Sequence, residues 1–166
     1  GGTPFSQDDD KFKIQTEFFD QDGDIVVPEF YYGMCQAPNG DIWIGSSTGP
    51  IIIPHTTDFL QSTQCQRLRI PMADGNYLLE KERVNTFAFD NNNKIWIGTA
   101  QSGIYVLNEE ATEIVAHYTS ENTVMPSNTV ISVAFDDYTN CMYIGTGGGL
   151  VSYKLSADTA LNSGII

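Results

Sequence analysis

Lys94-Ile95-Trp96-Ile97-Gly98-Thr99 decides the fold, because the chain carries it in three variants. Asp41-Ile42-Trp43-Ile44-Gly45-Ser46 precedes it, and Cys141-Met142-Tyr143-Ile144-Gly145-Thr146 follows it. Trp43 and Trp96 are 53 residues apart, and Trp96 and Tyr143 are 47 apart. Each copy leads to a glycine and an apolar run: Gly49-Pro50-Ile51-Ile52-Ile53, Gly103-Ile104-Tyr105-Val106-Leu107 and Gly149-Leu150-Val151-Ser152-Tyr153. A near-constant period of this length, built of short strands, is the mark of a repeat architecture.

Working outward from the middle copy, Val84 to Phe89 alternates and predicts a strand. Asp90 to Asn93 predicts a turn, since Asn and Asp tolerate left-handed backbone and bond their own main chain. Ile95-Trp96-Ile97, Ile104 to Leu107 and Glu113 to Thr119 complete four strands, with a turn over 109–112. The third copy opens on Val130 to Phe135 and closes its third strand at Tyr153. The first opens on Phe30 to Gln36, turns at Asn39-Gly40, the strongest short hairpin signal, and ends on a fourth strand over Gln64 to Ile70. Phe12 to Phe19 is expected as a strand left from a preceding unit. Leu60 and Leu79 fall in loops with room for a turn of helix.

Four antiparallel strands per repeat describe propeller blades; a solenoid is the second choice, with repeats that usually run shorter. The expected class is all-β, a β-propeller fragment of about three four-stranded antiparallel blades. Residues 1–29 hold a Gly1-Gly2 tag scar and the leftover strand. Residues 30–70 form the first blade, 71–128 the second with its lead-in loop, and 129–166 a partial third blade and tail. Inner strands of a propeller meet a blade on either face, so Trp43, Trp96 and Tyr143 are expected between blades. Asp90 and Asp136 close first strands and read as turn caps. Cys35 stands where Ala88 and Ala134 stand, and reads as a small packed side chain.

Eight basic against 21 acidic residues give a formal charge of −13. Phosphate backbones and anionic lipid both demand a basic face, so the charge argues against nucleic acid and acidic membrane surfaces as partners. No apolar run approaches the ~20 residues of a membrane helix. A secretory leader is absent, though the Gly1-Gly2 scar leaves export open. Cys35, Cys65 and Cys141 lack metal-ligand or redox spacing.

A strand, an Asp, an Asn-rich turn, Ile-Trp-Ile-Gly-Thr, a short loop and Gly-Ile-Tyr together resemble the two-component-regulator propeller repeat of Bacteroidetes, from about Phe30 to Tyr153. Met125-Pro126-Ser127-Asn128-Thr129-Val130 fits the same pattern. The resemblance implies a periplasmic sensor region of a hybrid regulator. Tyr77-Leu78-Leu79-Glu80 before Val84-Asn85, then Gln101-Ser102-Gly103-Ile104-Tyr105, more narrowly resemble the last blades of the propellers of the type IX secretion apparatus. So does Gly149-Leu150-Val151-Ser152-Tyr153. That resemblance implies an exported, non-catalytic propeller followed by a small sorting domain, with no fixed binding residues to carry over.

The chemical constellations mostly dissolve. Asp20-Gln21-Asp22-Gly23-Asp24 starts like a calcium loop, but Ile25 and Tyr31 stand where Gly and Glu are needed; a hairpin turn is the better reading. Asp8-Asp9-Asp10 reads as a solvated tail. His55 and His117 have no nucleophile beside them, and surface or packing roles are expected. Gly147-Gly148-Gly149 leads into a strand, whereas a phosphate cradle leads into a helix. No cofactor and no metal are expected.

Antiparallel pairing puts the start of a blade's first strand beside the end of its second. That end gathers Ser47, Thr48, Arg83, Gln101, Ser102, Asn128 and Thr146, the candidate ligand-binding residues. Arg83 alternatively pairs with Glu80 or Glu82. Three blades cannot close a ring of the usual ~4–8, so either other blades have been cut away or another copy completes the ring, a homo-oligomer through the apolar outer faces. The expected function is a periplasmic or extracellular, non-catalytic module binding a protein or a ligand, secretion-associated in its first form. The alternatives are a glycan-sensing region of a hybrid two-component regulator and, last, a propeller lyase or glycosidase.

Overall fold

Alternating apolar residues and turn-forming Asx-Gly pairs dictate a chain of short hairpins, and the computed structural model, which describes residues 11–155, is built of them. Gly1-Gly2, the Asp8–Asp10 run and the residues after Leu155 lie outside the described residues. All regular structure among the described residues is antiparallel strand. β1 (Phe18–Phe19) and β2 (Ile25–Val26) form a small hairpin. β3 (Tyr31–Gln36), β4 (Ile42–Ser46) and β5 (Gly49–Ile53) make the first blade. The second consists of β6 (Val84–Phe89), β7 (Ile95–Thr99), β8 (Ile104–Leu107) and β9 (Ile114–Tyr118). β10 (Val130–Asp136), β11 (Cys141–Thr146) and β12 (Gly149–Lys154) make the third. The protein is an all-β run of successive propeller blades.

The second blade has its four strands where alternation predicts them. Two predicted strands are shorter than expected. Gln64 to Ile70 forms no continuous fourth strand: only Gln66 pairs with Ile52, through mutual N–H to carbonyl bonds of 3.0 and 2.8 Å. The neighbouring Gln64 instead bridges Phe19 of the small hairpin. A segment divided between two partners, one residue pair each, cannot extend a ladder to either. Leu68 and Ile70 turn into the core beyond it. Of Phe12 to Phe19, only the last two residues are strand, and Phe12 and Ile14 stand 83% and 91% exposed. The turns over Leu60 and Leu79 are not helical, and Leu79 has a φ of 60°.

The hairpin reading of Asp22-Gly23 is correct: Asp20 Oδ1 accepts the N–H groups of Asp22 and Asp24, both at 3.0 Å, and Gly23 takes φ 85°. The same buried Asp20 meets the Arg69 guanidinium, whose Nε also donates to Asp22 at 2.7 Å, tying the hairpin to the first blade. Burial pushes the Asp20 carboxyl up. The hydrogen bond from Arg69, the Asp24 and Asp22 N–H groups and the Arg69 charge outweigh it and hold the carboxyl below its ordinary value. A group with a depressed folded pKa binds fewer protons when folded, so its stabilisation is complete above the unfolded value of about 4 and is lost as pH falls through the folded value. Between about pH 5 and about pH 2 the melting temperature should fall more steeply for the wild type than for Asp20→Asn. Parallel curves would contradict this linkage.

Blades pack through the repeated aromatic. Trp43 meets Phe87 and Phe89 of the second blade edge-on, at 5.6 and 6.2 Å between ring centroids. Trp96 stacks on Tyr118 at 5.8 Å and reaches Tyr153 of the third blade at 6.1 Å. Tyr143 is the exception to the expectation: it is 39% exposed, on the same open face as Leu150, which is 74% exposed. No described blade follows to cover it. Cys35 sits opposite Trp43 as Ala88 sits opposite Trp96 and Ala134 opposite Tyr143. Burial pushes the Cys35 thiol up to about 11, so it packs in the protonated form.

Candidate functional site

The register divides each blade into two ends. At one, Tyr31 pairs with Ser46, Val84 with Thr99 and Val130 with Thr146. A bulge follows the first residue each time, between Tyr31 and Met34, Val84 and Thr86, and Val130 and Ser132. Bulges bend and re-aim strands and are common beside functional sites. All seven sequence-predicted residues lie at or beside this end.

Most of their polar groups are already engaged in closing loops. The hydroxyls of Ser46, Thr99 and Thr146 donate to the carbonyls of Gly49, Gly103 and Gly149 at 2.6, 2.9 and 2.8 Å. They accept the N–H groups of Thr48, Ser102 and Gly148 at 3.2, 2.9 and 3.2 Å. Ser47 Oγ accepts the Glu29 N–H at 3.0 Å, and the Thr48 carbonyl accepts from Arg67. Glu82 accepts the Gln101 N–H at 3.1 Å, and the Ser102 carbonyl lies 2.6 Å from His117 Nε2. The Asn128 carbonyl accepts the Gly103 N–H, and its side chain bridges Ser120 and Glu121.

Arg83 behaves differently from its expected pairing. Among the described residues it has no carboxylate partner; its guanidinium lies over the Tyr32 ring at 5.0 Å. Glu80 and Glu82 accept main-chain N–H groups instead, from Tyr77 and Gln101. The attraction of a cation to an aromatic face thus takes the place of the expected ion pair at Arg83.

The opposite end holds a feature that sequence reasoning missed. A cavity of about 350 Å³ opens between the first and second blades, at their hairpin turns. Trp43, Phe89 and Ile52 supply apolar lining, while Asp41, Glu109 and Glu110 supply carboxylates. Burial raises the Asp41 pKa, but bonds from the His55 main chain and ring, from Asn39, and the nearby His55 charge together hold it below its ordinary value. Among the described residues no group of three or more His, Cys, Asp or Glu side chains is placed to hold a metal ion.

Residues 26–48 and 78–101 match the family described as two component regulator propeller. Two stretches of the chain are thus similar to two-component-regulator propeller repeats. The matched stretches run from β2 to the loop after β4, and from the loop before β6 to the loop after β7. Among solved structures, PorZ of Porphyromonas gingivalis, described as an essential bacterial surface component of the type-IX secretion system, is 29% identical with a TM-score of 0.82. The likeness covers 96% of this chain and 22% of PorZ, so the repeats here span less than a quarter of that protein. A protein described as a gluconolactonase shares the fold alone, at 14% identity and a TM-score of 0.53, over 80% of this chain and 42% of its own. The extracellular domain of the hybrid two component system BT3049 from B. thetaiotaomicron is 22% identical with a TM-score of 0.45, over 84% of this chain and 23% of its own. No curated protein matches at comparable significance.

Proposed function

We propose that the chain is a non-catalytic, extracytoplasmic propeller segment that binds a protein or a ligand within a secretion-associated surface protein. The observation that carries this reading is the likeness to PorZ, which extends over nearly the whole chain at 29% identity. The engagement of the loop hydroxyls in turn closure supports a scaffold role over a catalytic one. In this reading the open face bearing Tyr143 and Leu150 is covered by a further blade or by a second copy, since exposed apolar faces of this kind mark contact surfaces.

The test is genetic and topological. Deleting the segment from the producing bacterium should block surface display of type IX cargo, and protease added to intact cells should cleave the protein. Normal secretion in the deletion strain would remove the reading. Sedimentation at micromolar concentration addresses the second copy: a monomer would leave only the further blade.

A second reading rests on the family match itself: a sensor region of a two-component regulator. It expects a ligand-dependent change in transcription when the segment is present, with secretion unaffected.

A further inference from the structure

The first two blades build their inner hairpins on one template. The Asp90 N–H donates to the Lys94 carbonyl at 3.2 Å, and the Asn93 N–H donates back to Asp90 at 2.9 Å. In the first blade the Ala37 N–H donates to Asp41, and the Gly40 N–H to Ala37, both at 2.8 Å. Asn93 and Gly40 share left-handed backbone, φ 58° and 94°. Ala37 therefore occupies the place of Asp90, and Trp43 that of Trp96.

One exchange makes the two sites different. The Asp90 carboxylate accepts the N–H groups of Asn92 and Lys94 and, at 3.0 Å, the Trp96 indole N–H. Ala37 has no carboxylate. Trp43 is only 4% exposed, yet among the described residues its indole N–H has no acceptor. Both residues line the 350 Å³ cavity, so the missing carboxylate leaves a space with an unpartnered indole N–H, open to the cavity, at its wall. A donor placed on the wall of an open cleft in a side chain otherwise covered is free to bond an occupant's acceptor.

The rest of the lining says what could meet it. Asp41, Glu109 and Glu110 face the cavity, and no Lys or Arg lines it; Asp41 is already bonded to the His55 ring and main chain, which leaves the two glutamates. Glu109 and Glu110 accept only neutral amides, from Asn93 at 2.8 Å and Asn108 at 2.9 Å, so their charge is not neutralised. An occupant needs an acceptor for the indole and a positive charge for the carboxylates. A neutral saccharide supplies the first and no charge. A Lys or Arg residue within a peptide supplies both, a main-chain carbonyl and a cation, and the net charge of −13 favours its approach. We propose that this cleft is a subsite for a basic peptide segment of a partner protein, its carbonyl accepting from Trp43 Nε1 and its side-chain cation facing Glu109 and Glu110. This rests on the binding-module reading above.

The chain has two tryptophans, so a proton–nitrogen correlation spectrum shows two indole signals, assigned with Trp43→Phe. Acetyl-Gly-Arg-Gly-amide and acetyl-Gly-Lys-Gly-amide should move the Trp43 signal saturably and leave the Trp96 signal in place. Acetyl-Gly-Gln-Gly-amide should bind at least tenfold more weakly. Glu109→Gln with Glu110→Gln should weaken the basic peptides at least tenfold, and Ala37→Asp, which restores the acceptor, should abolish the shift. A Trp43 signal that responds to maltose and not to the basic peptides overturns the proposal in favour of a saccharide subsite. So does an unmoved signal, or undiminished binding in the double glutamine variant. Failed titrations with a secretion defect intact would remove this inference alone; normal secretion with successful titrations would remove only the secretion role.

Discussion

Trp96→Ala should destabilise the protein by about 3–5 kcal/mol, the range for removing a large aromatic from a packed core. Trp96 is essentially fully buried, between Tyr118 of its own blade and Tyr153 of the next, and its N–H is bonded to a buried carboxylate. The change removes the principal filling of one inter-blade cluster and leaves Asp90 short of a donor. Domains of this size are stable by only ~5–15 kcal/mol, so the loss is a large part of the total. Urea unfolding should show a much lower midpoint with a similar slope. Trp96→Phe separates the two contributions, because it keeps most of the packing and removes only the hydrogen bond. A cost under about 1 kcal/mol for the alanine variant would mean that the blades do not depend on this contact.

Gly103→Ala should cost about 2–4 kcal/mol, although it adds a single methyl group. Gly103 has a φ of 74°, and a Cβ there would lie 2.1 Å from the Tyr118 carbonyl oxygen. The obstacle is main chain, and cannot turn aside as a side chain can. The same residue receives the Thr99 hydroxyl and N–H on its carbonyl and donates its own N–H to Asn128. Any shift that relieves the clash strains these bonds. Gly75 is the control: its φ is 84°, but nothing lies within 4 Å of its Cβ position. Gly75→Ala should show only the ~1 kcal/mol of left-handed strain. Equal losses at the two positions in thermal unfolding would contradict the close-approach argument.

The contrast between these glycines marks the reach of local reading. Both could be identified as turn residues from neighbouring sequence, but only Gly103 lies against another strand. The strands Val84–Phe89 and Ile104–Leu107 were legible residue by residue, because alternation and flanking turns are local properties. Gln64 to Ile70 carries similar apolar spacing and is not a continuous strand, because its pairing depends on two different neighbours. The end-of-blade loops were also legible, since antiparallel register follows from hairpin connectivity. That the hydroxyls there are bonded to the loop glycines was not.

By itself, the sequence determined the repeat, its strand order, the all-β class and the aromatic contacts between consecutive blades. These follow from periodicity, turn chemistry and the need of a half-apolar sheet to cover its faces. Only the tertiary structure decided that Tyr143 stays on an open face, that Arg83 lies on Tyr32, and that a cleft opens beneath Trp43. The cleft joins an alanine of one hairpin to carboxylates in a turn of the next blade, some 70 residues along the chain. Its essential element is a side chain that is missing. Ala37 has meaning only beside Asp90, once packing has shown where an aspartate at that position directs its carboxylate.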